Sequence, residues 1–170
     1  MMTDATGGEL GLNAELVTVA TVDDPSSLYR REHGRMVRLA VALVDAQPLA
    51  EDLVQDAFAD VFARWQRIDE PAAYLRTCVV NRCRHELRRR RLLRRTATPP
   101  APEAQAADEL SRLLLDVVRS LPPRRRAVVV LRFYEDLSEV QIADMLGLRA
   151  GTVRATLHQA LAQLREVVER

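Results

Sequence analysis

Aromatic residues make up only 4% of this 170-residue chain, with one tryptophan, three tyrosines and three phenylalanines, and glycine occurs six times. Because its apolar content is mostly Ala, Leu and Val, the mixture favours helices over sheets and predicts an all-α protein. Cysteine is nearly absent. Cys78 and Cys83 lie within one helical segment, at a spacing that is neither a secreted disulfide framework nor a zinc site, so both read as small core or half-buried thiols. No apolar run approaches the roughly 20 residues needed to span a bilayer, and no basic stretch followed by an apolar one opens the chain, which predicts a cytoplasmic protein without membrane insertion. A dominant charge sign is missing too. The 25 Lys plus Arg against 24 Asp plus Glu leave a net charge of +1, so only the distribution of charge can speak for a nucleic-acid partner. Finally, the three histidines, His33, His85 and His158, are scattered. No carboxylate pair, Ser/His/Asp set, phosphate-cradling glycine loop or metal spacing is present, so no catalytic residue, metal or cofactor is expected.

What is present is helical periodicity, interrupted at a few definite places. The length allows one ordinary domain or two small ones. Residues 1–25 lack sustained periodicity and read as a disordered leader, to which no function is assigned. Tyr29, His33, Met36, Val37, Ala40, Leu43 and Val44 then recur at helical spacing. A break over Asp45 to Leu49, containing Pro48, leads into Ala50, Leu53, Val54, Ala57, Phe58, Val61, Phe62 and Trp65, the most regular amphipathic series in the chain. After Asp69 and Glu70, Pro71 suits a first helical turn, and the segment from Ala72 to about Arg91 carries Leu75, Val79, Cys83 and Leu87 on one stripe. These three helices make a small bundle over residues 26–95.

The run TATPPAPEAQAA, residues 96–107, has three prolines and no large apolar side chain, and reads as a flexible linker between domains. Beyond it, residues 108–170 give four more helices. Leu110, Leu113, Leu114, Val117, Val118 and Leu121 mark the first, and Ala127, Val130, Leu131 and Tyr134 the second. The third opens at Ser138 as N-cap, with Glu139 in its first turn, and ends at Gly147. The fourth carries Val153, Leu157, Ala160, Leu161, Leu164, Val167 and Val168 on one face. The last two have the form of a helix-turn-helix, whose second helix enters a DNA major groove. With Val153, Leu157 and Leu161 inward, Arg149, Thr152, Arg154, Ala155, His158 and Gln159 face outward. A plain helical hairpin in a bundle would show the same pattern.

Charge separates these readings. The third helix ends in Arg82, Arg84, His85, Arg88, Arg89, Arg90, Arg91, Arg94 and Arg95, opposed only by Glu86, a run suited to phosphates, although a charge run can also be a solvated face. The helix before it shows Glu51, Asp52, Gln55, Asp56 and Asp60, which would repel DNA and suits water or a basic protein surface.

AEDLVQDAFADVFARW (Ala50 to Trp65) followed by YLRTCVVNRCRHELRRRR (Tyr74 to Arg91) resembles region two of extracytoplasmic-function sigma factors of the sigma-70 family. LPPRRRAVVVLRFYEDLSEVQIADMLGLRAGTVRATLHQALAQLRE (Leu121 to Glu166) resembles their region four. The resemblance covers about residues 26–95 and 108–168. It implies a factor that binds core RNA polymerase, through the beta-prime clamp helices and the beta flap, and directs promoter-specific initiation. It also implies an anti-sigma factor as a partner. Asp52, Gln55, Asp56 and Asp60 fall on polymerase contacts. Gln66 to Glu70 matches a loop that captures a flipped minus-ten base, and Asp69, Tyr74, Asn81, Arg82, His85, Arg88 and Arg89 fall on the minus-ten surface, where an unstacked base needs a pocket and arginines hold the backbone. Tyr74 stands where relatives often carry Trp, whereas Phe62 and Trp65 continue the apolar stripe and are expected in the core.

For the minus-thirty-five element the resemblance implies Arg132, Arg149, Thr152, Arg154, Ala155, His158 and Gln159. Many relatives have arginine in place of Thr156 and Gln159, which predicts a less basic recognition helix here. Two other readings stay open. A stand-alone helix-turn-helix regulator would explain residues 138–166 and leave the acidic and basic helices without a shared purpose, and a sigma-like decoy would bind polymerase or a regulator without opening a promoter.

Overall fold

The computed structural model describes residues 24–93 and 116–169, and every regular element among them is helical. The leader and the linker expected from sequence lie outside these residues, apart from Asp24 and Pro25. Helix α1 spans Pro25–Val44. Its start is fixed by a capping box: the Asp24 carboxylate accepts from the Ser27 backbone N–H at 2.9 Å, and the Ser27 hydroxyl accepts from the Asp24 N–H at 3.2 Å. Its end is a left-handed residue, Asp45, at φ 62°. Helix α2 follows almost at once, at Gln47–Ala63. The break expected over Asp45 to Leu49 is therefore two residues long. Pro48 sits in the first turn of α2, where an N–H would have no intrahelical acceptor in any case. A single tight turn at Trp65–Arg67 leads to α3, Pro71–Leu93.

These three helices pack on one another around Leu28, Met36, Leu39, Val54, Val61, Leu75, Val79 and Val80, each almost wholly removed from water. Each such side chain contributes about 1.5–3 kcal/mol of hydrophobic free energy. On α1 the expected Met36, Val37, Ala40, Leu43 and Val44 are buried, and the stripe is wider than the one expected. Leu28 and Leu39 face inward, while Tyr29 is 40% exposed. Cys83 is buried and Cys78 half-buried, both as free thiols, and burial pushes the Cys83 thiol up to about 12.

The second group begins with a helical turn at 116–119, the described part of the helix expected from Leu110 to Leu121. Helix α4 is Pro123–Phe133, α5 is Glu139–Leu146 and α6 is Ala150–Val168. On α4 the fully buried residues are Val128 and Leu131, and Tyr134, expected on the stripe, is exposed. The two groups meet: α1 packs against α4 and α3 against α5, and residues as far apart as Leu39, Val128, Ile142 and Val153 belong to one buried apolar cluster.

Candidate nucleic-acid interface

Helices α2 and α3 lie side by side and present opposite charge. On α2, Glu51, Asp52, Gln55 and Asp56 are exposed and Asp60 is half-buried. Part of this acidity is spent inside the bundle. Arg82 reaches across from α3 to Asp56 Oδ2 at 3.3 Å and Asp60 Oδ2 at 2.5 Å. The sequence places Arg82 on DNA, whereas the structure turns its guanidinium onto α2, because two carboxylates one helical turn apart lie within reach of it. Asp52 and Gln55 keep their polar atoms outward.

Along α3, Asn81, His85, Arg88, Arg89 and Arg91 are exposed. The arginine run is not uniform. Glu86, almost fully buried, accepts from Arg89 Nε at 2.7 Å, Arg89 Nη2 at 2.9 Å and Arg90 Nε at 2.9 Å, and the Arg89 hydrogen bond above all holds its carboxyl below the usual range. Arg88 and Arg91 have no such partner among the described residues, which leaves their donors available to phosphate oxygens. Arg94 and Arg95 lie outside the described residues.

The turn between α2 and α3 exposes Gln66, Arg67, Asp69 and Glu70, with Ile68 half-buried behind them. Tyr74 stands at its edge, half-buried, its hydroxyl accepting from Arg64 Nη1 at 3.0 Å, a bond that raises the Arg64 pKa. Phe62 and Trp65 are less buried than a core assignment requires. Phe62 is 37% exposed, packed edge-on against Trp65 at 6.4 Å between ring centres and tilted against Phe58 at 5.6 Å. Val61 is the last fully buried side chain of α2, and Trp65, just past its end, packs half-buried against the core.

The helix-turn-helix is built by local chemistry. The Ser138 hydroxyl accepts from the Gln141 N–H at 3.3 Å, and Gln141 Oε1 accepts from the Ser138 N–H at 2.9 Å. Gly147 ends α5 at φ 63°. A Cβ there would meet nothing within 4 Å, so the left-handed backbone alone demands glycine. Leu148 then packs half-buried against the core, its N–H donating to Ala143 O at 2.8 Å. On α6, Val153 is fully buried and Leu157 and Leu161 half-buried, so Arg149 at its N-cap, Arg154, Ala155, His158 and Gln159 are exposed, with Thr152 half-exposed.

Three details of this face differ from the sequence reading. Thr156 is only 8% exposed, on the inward side of α6, so its lack of charge takes nothing from the outward face. Arg132 is half-buried and donates to Leu137 O at 3.2 Å and Asp136 Oδ1 at 3.3 Å, bracing the turn before α5. Arg125, overlooked in the sequence although it stands in the run Arg124 to Arg126, donates to Gln163 at 2.8 Å and Gln159 at 3.3 Å and so adds a cation beside the recognition helix. Arg154 is paired with Glu139 at 2.9 Å, a hydrogen bond that raises its pKa.

A capped helix-turn-helix joined to a bundle with one acidic and one arginine-rich face is the architecture of a DNA-engaging protein. Comparison with known proteins agrees. Residues 28–93 match the model of Sigma-70 region 2, and residues 111–164 that of Sigma-70, region 4. The chain is 40% identical over 145 residues to the RNA polymerase sigma-E factor of Streptomyces coelicolor, covering 81% of each. It is 32% identical over 151 residues to the ECF RNA polymerase sigma factor SigL of Mycobacterium tuberculosis, covering 82% of this chain and 85% of that one. Among solved structures, the sigma factor RpoE from Bartonella quintana, in complex with the anti-sigma factor NepR, has the same fold, with a TM-score of 0.67 and 19% identity over 85% of this chain and 96% of that one. CnrH, in complex with the cytosolic domain of CnrY, gives 0.62 and 23% over 85% and 87%. The chain belongs to the sigma-70 family of RNA polymerase sigma factors, in its extracytoplasmic-function group.

Proposed function

We propose that the chain divides its work as a sigma factor between four faces: α2 for core RNA polymerase, the α2–α3 turn and α3 for the minus-ten element, and α6 for the minus-thirty-five element. The observation that carries this is the pairing of opposite faces on one rigid bundle. Asp52, Gln55 and Asp56 point outward from α2, and Arg88 and Arg91 point outward from α3 beside it. The acidic face suits a basic protein surface and disfavours DNA. The arginine face supplies sequence-independent grip on phosphates. In this arrangement polymerase brings the bundle to the promoter, arginines hold one strand, and the turn from Gln66 to Glu70, with Tyr74, takes an unstacked base. Asn81 and His85 supply hydrogen bonds at its upstream edge.

On the other group, Arg154, His158 and Gln159 stand near the start of α6, where a recognition helix meets base edges, while Arg149 and Arg125 flank them as phosphate contacts. Phosphodiester chemistry belongs to the polymerase, and this chain contributes recognition and strand opening, with no metal or cofactor of its own. The setting is cytoplasmic; no helix among the described residues is long and apolar enough to cross a membrane. Control by an anti-sigma factor is part of the same reading, supported by the structural relative RpoE, solved in complex with the anti-sigma factor NepR.

Run-off transcription with core polymerase on a library of upstream regions tests the proposal directly. Initiation from a defined set of promoters that share two elements is the expected result. Binding of DNA without co-elution with core polymerase would replace it with a stand-alone regulator, and co-elution without initiation with a decoy.

A further inference from the structure

Arg125 stands in the first turn of α4, outside the helix-turn-helix, yet its guanidinium ends on the recognition helix. Nη1 donates to Gln163 Oε1 at 2.8 Å and Nη2 to Gln159 Oε1 at 3.3 Å. The two glutamines are one turn apart on α6, so a single planar fork takes both amide oxygens. The chemistry of this contact fixes which end of each amide faces the fork. A guanidinium has N–H donors and no acceptor, so a glutamine meets it only through its carbonyl oxygen. Gln163, half-buried, anchors one end of the fork. Gln159, the exposed member, turns Oε1 toward α4, and Nε2, on the other side of the same planar group, is the end left for an outside partner.

The orientation changes what Gln159 can read. A free glutamine recognises adenine with both ends of its amide, the oxygen accepting from N6–H and the nitrogen donating to N7. With its oxygen engaged, Gln159 offers donors alone, and Arg125 behind it offers more of the same. In the major groove the base edge with two acceptors and no donor is that of guanine, at N7 and O6. Thymine has one acceptor beside an apolar methyl group, and the amino group of adenine would confront a donor.

We infer that Arg125 is a positioning residue that sets the specificity of Gln159, and that the pair, acting as a donor-only unit, selects guanine over adenine at the base pair this part of α6 reaches. The inference rests on the sigma reading, which brings α6 to the minus-thirty-five element. It adds which base one position takes, and it places the deciding residue on α4, outside the recognition helix.

Holoenzyme assembled from core polymerase and the full-length chain, offered promoter DNA randomised over the minus-thirty-five element, tests the pair by sequencing of the bound fraction. The position whose preference disappears in Gln159→Ala is the one Gln159 reads. Wild type is expected to favour guanine over adenine there by about tenfold, the scale of one good side-chain contact to a base. Arg125→Met keeps the stem and frees the amide, and is expected to reverse the preference to adenine. Arg125→Lys, also a donor without an acceptor, is expected to retain guanine. Adenine preferred by wild type, guanine retained in Arg125→Met, or an equal loss of affinity for every sequence in that variant overturns the inference. The last result would leave Arg125 as a phosphate contact alone. If Arg125→Met does not fold by circular dichroism, Gln163→Ala decides: loss of the anchor is expected to lower the guanine preference about threefold, and an unchanged preference overturns the inference. A Gln159→Ala holoenzyme that matches wild type at every position sinks the inference and leaves the sigma reading standing. A wild-type holoenzyme that enriches no minus-thirty-five sequence removes α6 from promoter recognition and the inference with it.

Discussion

The two helices assigned to DNA hold their charge in opposite ways. Helix α3 carries a dense arginine run from which one buried carboxylate, Glu86, draws off Arg89 and Arg90, and Arg82 is drawn off by α2, leaving Arg88 and Arg91 outward. Helix α6 has few charges on its reading face, with Arg154 tied to Glu139 and Gln159 to Arg125. Grip and discrimination are thus separated. On the proposed reading, the first group would hold backbone through surplus charge, and the second would read bases through a framework of caps and side-chain hydrogen bonds.

The largest effect should come from the face that neither helix provides. Replacing Asp52 and Asp56 by Lys sets like charges against a basic surface and is expected to weaken binding to core polymerase at least roughly 100-fold, measured by co-elution and titration. Retained binding would remove α2 from the polymerase interface. Next, Arg88→Ala with Arg91→Ala should lower the slope of log affinity against log salt by about 1.8 for duplex DNA, since each lost phosphate contact is worth about 0.9. An unaltered slope would make the arginine run a solvated face and erase the contrast with α6.

Arg154→Ala with His158→Ala is expected to leave polymerase binding intact and to cost about 1–3 kcal/mol of discrimination per lost base contact, read by competition between promoter variants. If affinity falls equally for every sequence, α6 grips and does not read. Ser138→Ala removes half of the capping box and should destabilise the second group by about 1 kcal/mol, visible in thermal unfolding.

The smallest effect concerns Cys83. With its thiol pushed up to about 12 by burial, folding favours the neutral form. That contribution is fully present below the ordinary thiol pKa and is lost as pH rises towards about 12. A thiol reagent at pH 8 should spare Cys83 in the folded chain and modify it on unfolding, and rapid native labelling would show the α3 stripe to be open.

Much of this was legible locally. The Ser138 cap, the left-handed Gly147, the inward Val153 and the outward Arg154, His158 and Gln159 depend on residues within a few turns of one another. The resemblance to regions two and four needed only the order of two motifs. Illegible were the partners that come from another helix. Nothing near Arg82 in sequence shows that Asp56 and Asp60 will meet it, whereas the inward turn of Thr156 was there to be read, three residues after Val153 and four before Ala160. Phe62 follows the apolar period of α2 and still reaches solvent, since periodicity fixes which side a residue takes and not how far the neighbouring helix extends.

The sequence by itself determined the helices, their caps and the sign of each face, because 3.6-residue periodicity, proline, glycine and short-range hydrogen bonds act within one segment. Only the tertiary structure decided which arginines remain outward, and that Glu135 lies buried between Arg35 and Arg76. A charge is neutralised or left free by what packs against it, and residues 100 positions apart become neighbours only when the two helix groups close on each other.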